Sequence, residues 1–207
     1  PTDDPTEYPL VIYDNVLVWA AFRVSGDLLR RMGNESEAMR WESEADKLAE
    51  AIRRHGIVEG PEGPMWAWAR DPSGRFELRE EPPGSLRLLT YYGFCDPEDP
   101  AYRNTVRWLS SPANPYFFPG PFSGPGSSHF PFPGVFDLAN RLLTDPDPAV
   151  LDLVREAPMD HGLACESIDP HTGVVRTGAA MASLAGFLAW ALWARIRGHR
   201  RFFEHLK

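Results

Sequence analysis

Cysteine is scarce in this sequence, cations are outnumbered by anions, and long uncharged runs are nearly absent. Cys95 and Cys165 are the 2 cysteines in 207 residues. That is too few for a disulfide framework, and they lack the Cys-x-x-Cys spacing of a zinc site. Reduced thiols in a cytoplasmic protein are the expectation, with no metal and no cofactor implied. Lys+Arg number 21 against 29 Asp+Glu, a net charge of -8. This argues against a nucleic-acid surface, because phosphate binding is driven by Lys and Arg. A neutral or cationic small ligand fits better. The one stretch that could span a membrane, residues 177–194, carries no charge and precedes Arg195, Arg197, Arg200 and Arg201. It is rich in Ala, Gly and Ser, whose transfer energies are small, so it reads as a buried inner helix rather than a membrane span. The chain opens at Pro1 without an initiator Met, which reads as a sequence processed or excised from a longer one.

What is present is enough for one globular domain over residues 1–207, at 43% hydrophobic residues. Tyr13, Leu17, Ala20, Val24 and Leu28 recur at steps of three and four, which predicts a helix over residues 10–31, stopped by Gly33. Asn34 followed by Glu37 reads as a capping box for a second helix whose stripe is Ala38, Trp41, Ala45, Leu48 and Ile52. The two helices are expected to be antiparallel neighbours. Residues 56–83 lose the helical period. There, 65–68 and 76–78 flank the turn signature Asp71, Pro72, Ser73, Gly74, which predicts a short β-hairpin. Helical pattern returns over 84–92 and over 100–110, with Pro100 suited to a first turn. Residues 111–134 are a Pro, Gly, Ser and Phe loop. Helices resume over 135–143, 148–155 and 177–196. No repeat of constant period is visible, so a solenoid of short units is not indicated.

Four blocks, in order, resemble glycoside hydrolase family 125, the metal-independent exo-α-1,6-mannosidases. Residues 1–15 hold an Asp pair before a Tyr-rich turn and an inner helix. Residues 84–118 are similar to that family's longest recognisable block. A Gly-rich loop ends in His129, and Glu166 with Ser167 forms a Glu-Ser pair. Departures are Cys165 where the family has His, residues 133–136 where it has Trp-Pro, and residues 175–182 in place of a Trp-rich segment. The resemblance implies an all-α fold, the C-terminal part of an (α/α)₆ toroid of helix hairpins. Its missing N-terminal hairpins would be needed to complete the toroid.

The chemistry implied is hydrolysis of a terminal α-linked mannose with inversion. One protonated carboxyl group serves the leaving oxygen, and a carboxylate holds water on the opposite face, about 6.5–9.5 Å away. By resemblance Asp3 or Asp4 is the general acid, with Asp3 preferred, and Glu166 the general base. Like charges in an Asp pair raise one pKa toward what an acid catalyst needs. A solvated tail or helix cap explains the same pair without catalysis. Substrate-binding candidates are His129, Arg176, Tyr116 and Asn15. For Asn15 helix capping is an equal alternative, and Asn114 reads equally as a turn residue. Tyr116, Phe117, Phe118, Phe122, Phe130 and Phe132 offer flat faces for a sugar, or pin their own loop to the core.

Two rivals remain. Asp3, Asp4 and Glu7 look like the metal-binding motif of prenyl-diphosphate enzymes, but Pro5 spoils the helix this needs and no second motif appears. A non-catalytic helical scaffold, or a carbohydrate- or protein-binding remnant of such an enzyme, is the more serious alternative.

Overall fold

The computed structural model describes residues 6–199 and 201–203. A two-residue strand β1 (Leu10–Val11) leads into helix α1 (Ile12–Arg31). Its buried face is Ile12, Tyr13, Val16, Trp19 and Ala20, at three- and four-residue steps. Arg30 and Arg31 occupy its last turn, where cations suit the helix dipole. Gly33, at φ +81°, reverses the chain. Leu28, expected on the buried stripe, is exposed. The contact with the next helix is centred further back at Gly26, where an added Cβ would lie 3.1 Å from the Glu42 side chain.

Helix α2 (Glu35–Gly56) buries Ala38, Ala45 and Ile52 as expected and packs along α1. The Asn34 side chain accepts from the Glu37 amide at 3.4 Å. The reciprocal half of a capping box is not formed, since the Asn34 amide donates to Leu29 O and the Glu37 carboxylate takes Arg40.

The region after α2 contains two β units rather than the single hairpin expected. β2 (Ile57–Gly60) pairs with β3 (Gly63–Trp66) across a turn the sequence reading missed. β4 (Ala69–Arg70) pairs with both β1 and β5 (Phe76–Glu77) around the anticipated turn. There the Asp71 carboxylate accepts from the Arg75 amide at 2.9 Å and the Ser73 hydroxyl at 2.8 Å.

Residues 84–92 do not form an α-helix. They hold only 3-10 turns, Pro82–Gly84 and Leu86–Leu89. Leu86, Arg87, Leu88 and Leu89 are all buried, so the segment threads the core with no solvent face to set a helical period. Helix α3 (Pro100–Leu109) follows, with Pro100 in its first turn and the Asp99 side chain capping Ala101 and Tyr102. The Pro/Phe loop contains one small pair, β6 (Phe117–Phe118) with β7 (Gly124–Pro125). Helices α4 (Val135–Thr144) and α5 (Ala149–Glu156) come next. A bulged hairpin of β8 (Ser167–Ile168) and β9 (Val175–Thr177) then leads to α6 (Ala182–Arg197), which packs on α4.

The last helix therefore starts later than expected, because Gly178 at φ +58° and Ala180 at φ +50° are incompatible with helix. Among the described residues no helix is long and apolar enough to cross a membrane. One main core runs through the molecule, with Trp19 and Trp66 edge-on to Phe94 at ring distances of 5.1 and 5.7 Å. The helical class stands, with more short strands than the sequence led one to expect.

Candidate active site

Glu166 lies in the loop before β8, tied to two elements through its own backbone. Its N–H donates to Gly178 O (3.1 Å) and its carbonyl accepts from Val135 N–H (2.9 Å), the first residue of α4. Gly178 is needed: a Cβ there would sit 2.4 Å from the Glu166 Cβ. Met159, His161 and Ala180, the non-glycine residues at positive φ among those described, occupy the loops on either side of Glu166. Such concentrated backbone strain is characteristic of functional sites. The Glu166 side chain is 18% exposed, and its Oε1 lies 3.9 Å from Nε2 of His129, itself 44% exposed. The structure thus brings together two of the residues picked from sequence.

A set of residues missed by sequence reading adjoins them. Arg79 (10% exposed) lies over the Trp68 ring, 4.9 Å from its centroid, and Arg79 Nε donates to Glu81 Oε1 at 2.7 Å. Arg79 Nη2 donates to the same carboxylate and to the Ser128 hydroxyl, the latter at 3.1 Å. Ser128 directly precedes His129. In the sequence these residues read as an ordinary charged segment, because the ring and the hydroxyl that Arg79 meets lie elsewhere in the chain.

Beneath them lies more buried charge. Arg87 Nε and Asp137 Oδ1 form an ion pair at 2.9 Å, both side chains almost wholly covered. Glu80 is fully buried, and neither carboxylate oxygen has a hydrogen-bond partner among the described residues. Burial raises its pKa to about 8. Ser85 and Arg87 oppose that rise, while Asp137 and Glu81 add to it. The Ser85 hydroxyl is close enough to act on Glu80 without making a bond of normal geometry.

The remaining candidates fare differently. Asp3 and Asp4 lie outside the described residues. Arg176 pairs with Asp169 at 3.3 Å and lies over Phe132, so its ionic partner is Asp169 rather than Glu166. The amides of His171 and Thr172 hold the Asp169 carboxyl below its ordinary value, and Arg176 contributes. Tyr116 is half-buried, its amide bound to Asn114 Oδ1 and its carbonyl to the Gly126 amide. Asn114 is a buried turn residue that also donates to Leu109 O at 3.2 Å.

Asn15 does not cap α1. The cap position is Val11, and the Asn15 side chain donates back to Val11 O at 2.7 Å. Phe130, expected as a subsite wall or a loop anchor, is buried beside Gly134 and takes the anchoring role. Cys165 is buried with Sγ 3.5 Å from Ser167 O. Burial pushes its thiol up to about 11, and the neighbouring carboxylates Asp160 and Glu166 also contribute, so it is a neutral thiol at physiological pH. Among the described residues no group of three or more His, Cys, Asp or Glu side chains is placed to hold a metal ion. Glu166 and His129 together can hold a water molecule and accept its proton, one half of an acid–base pair.

A family model described as metal-independent alpha-mannosidase (GH125) matches residues 1–174. The meiotically up-regulated gene 157 protein of Schizosaccharomyces pombe is 30% identical over 179 residues, 82% of this chain and 35% of that protein. A trehalase of Mycobacterium tuberculosis is 32% identical over 94 residues, 44% of this chain and 12% of the trehalase. Among solved structures, a Streptococcus pneumoniae metal-independent α-mannosidase, in a non-productive complex with α-1,6-mannobiose, superposes with a TM-score of 0.79 at 22% identity. That match covers 94% of this chain and 49% of the mannosidase. A bacterial glucoamylase complexed with acarbose gives a TM-score of 0.72 at 12% identity, over 90% of this chain and 33% of the glucoamylase. At these identities the superpositions establish the fold. The chain spans about half or less of the length of each protein it matches.

Proposed function

Because the chain belongs to the metal-independent α-mannosidases of glycoside hydrolase family 125, we propose that it is one domain, the C-terminal part of an (α/α)₆ toroid glycosidase. In this reading the enzyme removes a terminal α-linked mannose, α-1,6-linked as in the ligand of the S. pneumoniae relative. Glu166 acts as general base and Asp3 as general acid, with Asp4 beside it. The Glu166 carboxylate takes a proton from water as the water oxygen attacks the anomeric carbon. The bond to the leaving oxygen breaks on the opposite face, and Asp3 donates its proton there, so the product has inverted configuration. His129, Arg176, Tyr116 and Asn15 supply polar contacts to the sugar. No cofactor takes part. The hairpins that close the pocket belong to the part of the relatives this chain does not cover.

The observation that carries the reading is Glu166 itself. It is a largely covered carboxylate, backbone-tied on both sides, with an imidazole 3.9 Å from its oxygen. A solvated loop glutamate has no need of such fixing. The test is Glu166→Gln in the full-length protein that carries this chain, assayed on a panel of aryl α-mannosides and α-glucosides. Release of sugar is expected to fall by about 10²–10⁴-fold with thermal stability unchanged, and proton NMR of the wild-type reaction should show β-mannose first. Undiminished activity in the variant would end the assignment and leave the binding-scaffold reading.

A further inference from the structure

We propose that Arg79 is a positioning residue that holds His129 against Glu166 by way of Ser128. The inference rests on the reading of Glu166 as base and extends it to a residue that does not touch the substrate. His129 sits at the tip of a tight turn whose two shoulders are fixed differently. On one side Phe130 is buried beside Gly134. On the other, the Ser128 hydroxyl accepts from Arg79. Within the turn, the Ser127 hydroxyl accepts from the His129 amide at 3.2 Å and the Phe130 amide at 3.4 Å, and the Ser127 amide donates to Phe130 O at 3.1 Å. The backbone of the turn is therefore rigid, and its orientation over Glu166 depends on what grips the two shoulders.

Arg79 is built as such a grip. Its guanidinium plane rests on Trp68, and its fork holds the buried Glu81 carboxylate with two nitrogens, one of which also reaches Ser128. The grip on the Ser128 shoulder thus comes from one short segment, Arg79 with Glu81. Neutralising Glu81 alone would need only a point charge. The flat stack and forked contact need arginine, because a lysine ammonium cannot satisfy both partners from one fixed plane. A covered ion pair of this sort adds little net stability but specifies geometry.

The experiment measures kcat, KM and melting temperature in the full-length protein for Ser128→Ala, Ser128→Thr and Arg79→Lys. Loosening His129 displaces it from the base, and small misplacements near reacting atoms cost rate rather than ground-state affinity. Ser128→Ala is expected to lower kcat about tenfold, with KM and melting temperature little changed. Ser128→Thr, which keeps the hydroxyl, should restore kcat, and Arg79→Lys should lower it at least as far as Ser128→Ala does. Wild-type kcat in Ser128→Ala overturns the proposal, as does a loss that threonine fails to rescue. If Arg79→Lys does not fold, the two serine variants decide alone. An inactive Glu166→Gln beside a fully active Ser128→Ala sinks this inference and spares the hydrolase reading, whereas a fully active Glu166→Gln sinks both.

Discussion

Glu80 is the residue most at odds with its surroundings. In the unfolded chain its carboxyl titrates near the ordinary value of 4.5, and in the fold near 8, because it is sealed from water among Ser85, Arg87, Asp137 and Glu81. Between those values the native state keeps a proton that the unfolded state releases. Stability therefore falls as pH rises through this window, by at most about 1.4 kcal/mol per unit, and the loss is complete above about 8. Glu80→Gln removes that slope. Its melting temperature relative to wild type is expected to rise by several degrees between pH 5 and pH 8, as followed by differential scanning calorimetry. An offset independent of pH would show that Glu80 is already ionised in the fold. At this scale the sequence disclosed Glu166 and His129 only through resemblance to a family. Nothing local distinguishes Arg79 or Glu81 from a solvated charged segment, because their meaning comes from Trp68 and Ser128, 11 and 49 residues from Arg79 along the chain.

The elements legible in the sequence are those with one wet and one dry face. α2 and α3 each have such a face, and each has a capping side chain, Asn34 and Asp99. Segments 84–92 and 177–181 misled for opposite reasons. The first is buried all round, and the second is a run of small residues with no period at all. In the second, Gly178 lies where the chain turns back onto Glu166, and this makes a prediction about the segments that flank the β8–β9 hairpin. Gly178→Ala places a methyl group 2.4 Å from the Glu166 Cβ and forces alanine to φ +58°. The base must move, so kcat should fall about 10²-fold and the melting temperature should drop. Gly162 provides the control. It has φ +86° in the connection before β8, yet a Cβ there would meet nothing within 4 Å. Gly162→Ala should therefore cost only backbone strain, about 1 kcal/mol, with kcat intact. Equal kcat losses in the two variants would mean that loop stability, and not the seat of Glu166, governs the rate.

Over the whole molecule, apolar side chains are left exposed on α6 and α1. α6 is apolar on every side, which the sequence reading took for a buried inner helix, yet only Leu184, Leu188, Ala191 and Ala194 are covered. Trp193 and Ile196 are exposed, as are Val18 and Leu28 on α1, and Trp190 is partly exposed while its indole N–H donates to the Tyr91 hydroxyl. A soluble monomer rarely leaves patches of this kind bare. The relatives contain as much chain again or more, and on the proposed toroid reading that portion would cover these side chains. Produced by itself, the 207-residue chain is accordingly expected to bind a hydrophobic dye such as ANS and to self-associate in light scattering. Trp190→Gln with Trp193→Gln should reduce both effects, and the full-length protein should show neither. The same opening would admit water to Glu166 and weaken every charge interaction there. Mannosidase activity of the 207 residues alone should therefore fall well below that of the full-length protein. Equal activity in the two would mean that the ring need not close for the chemistry to proceed.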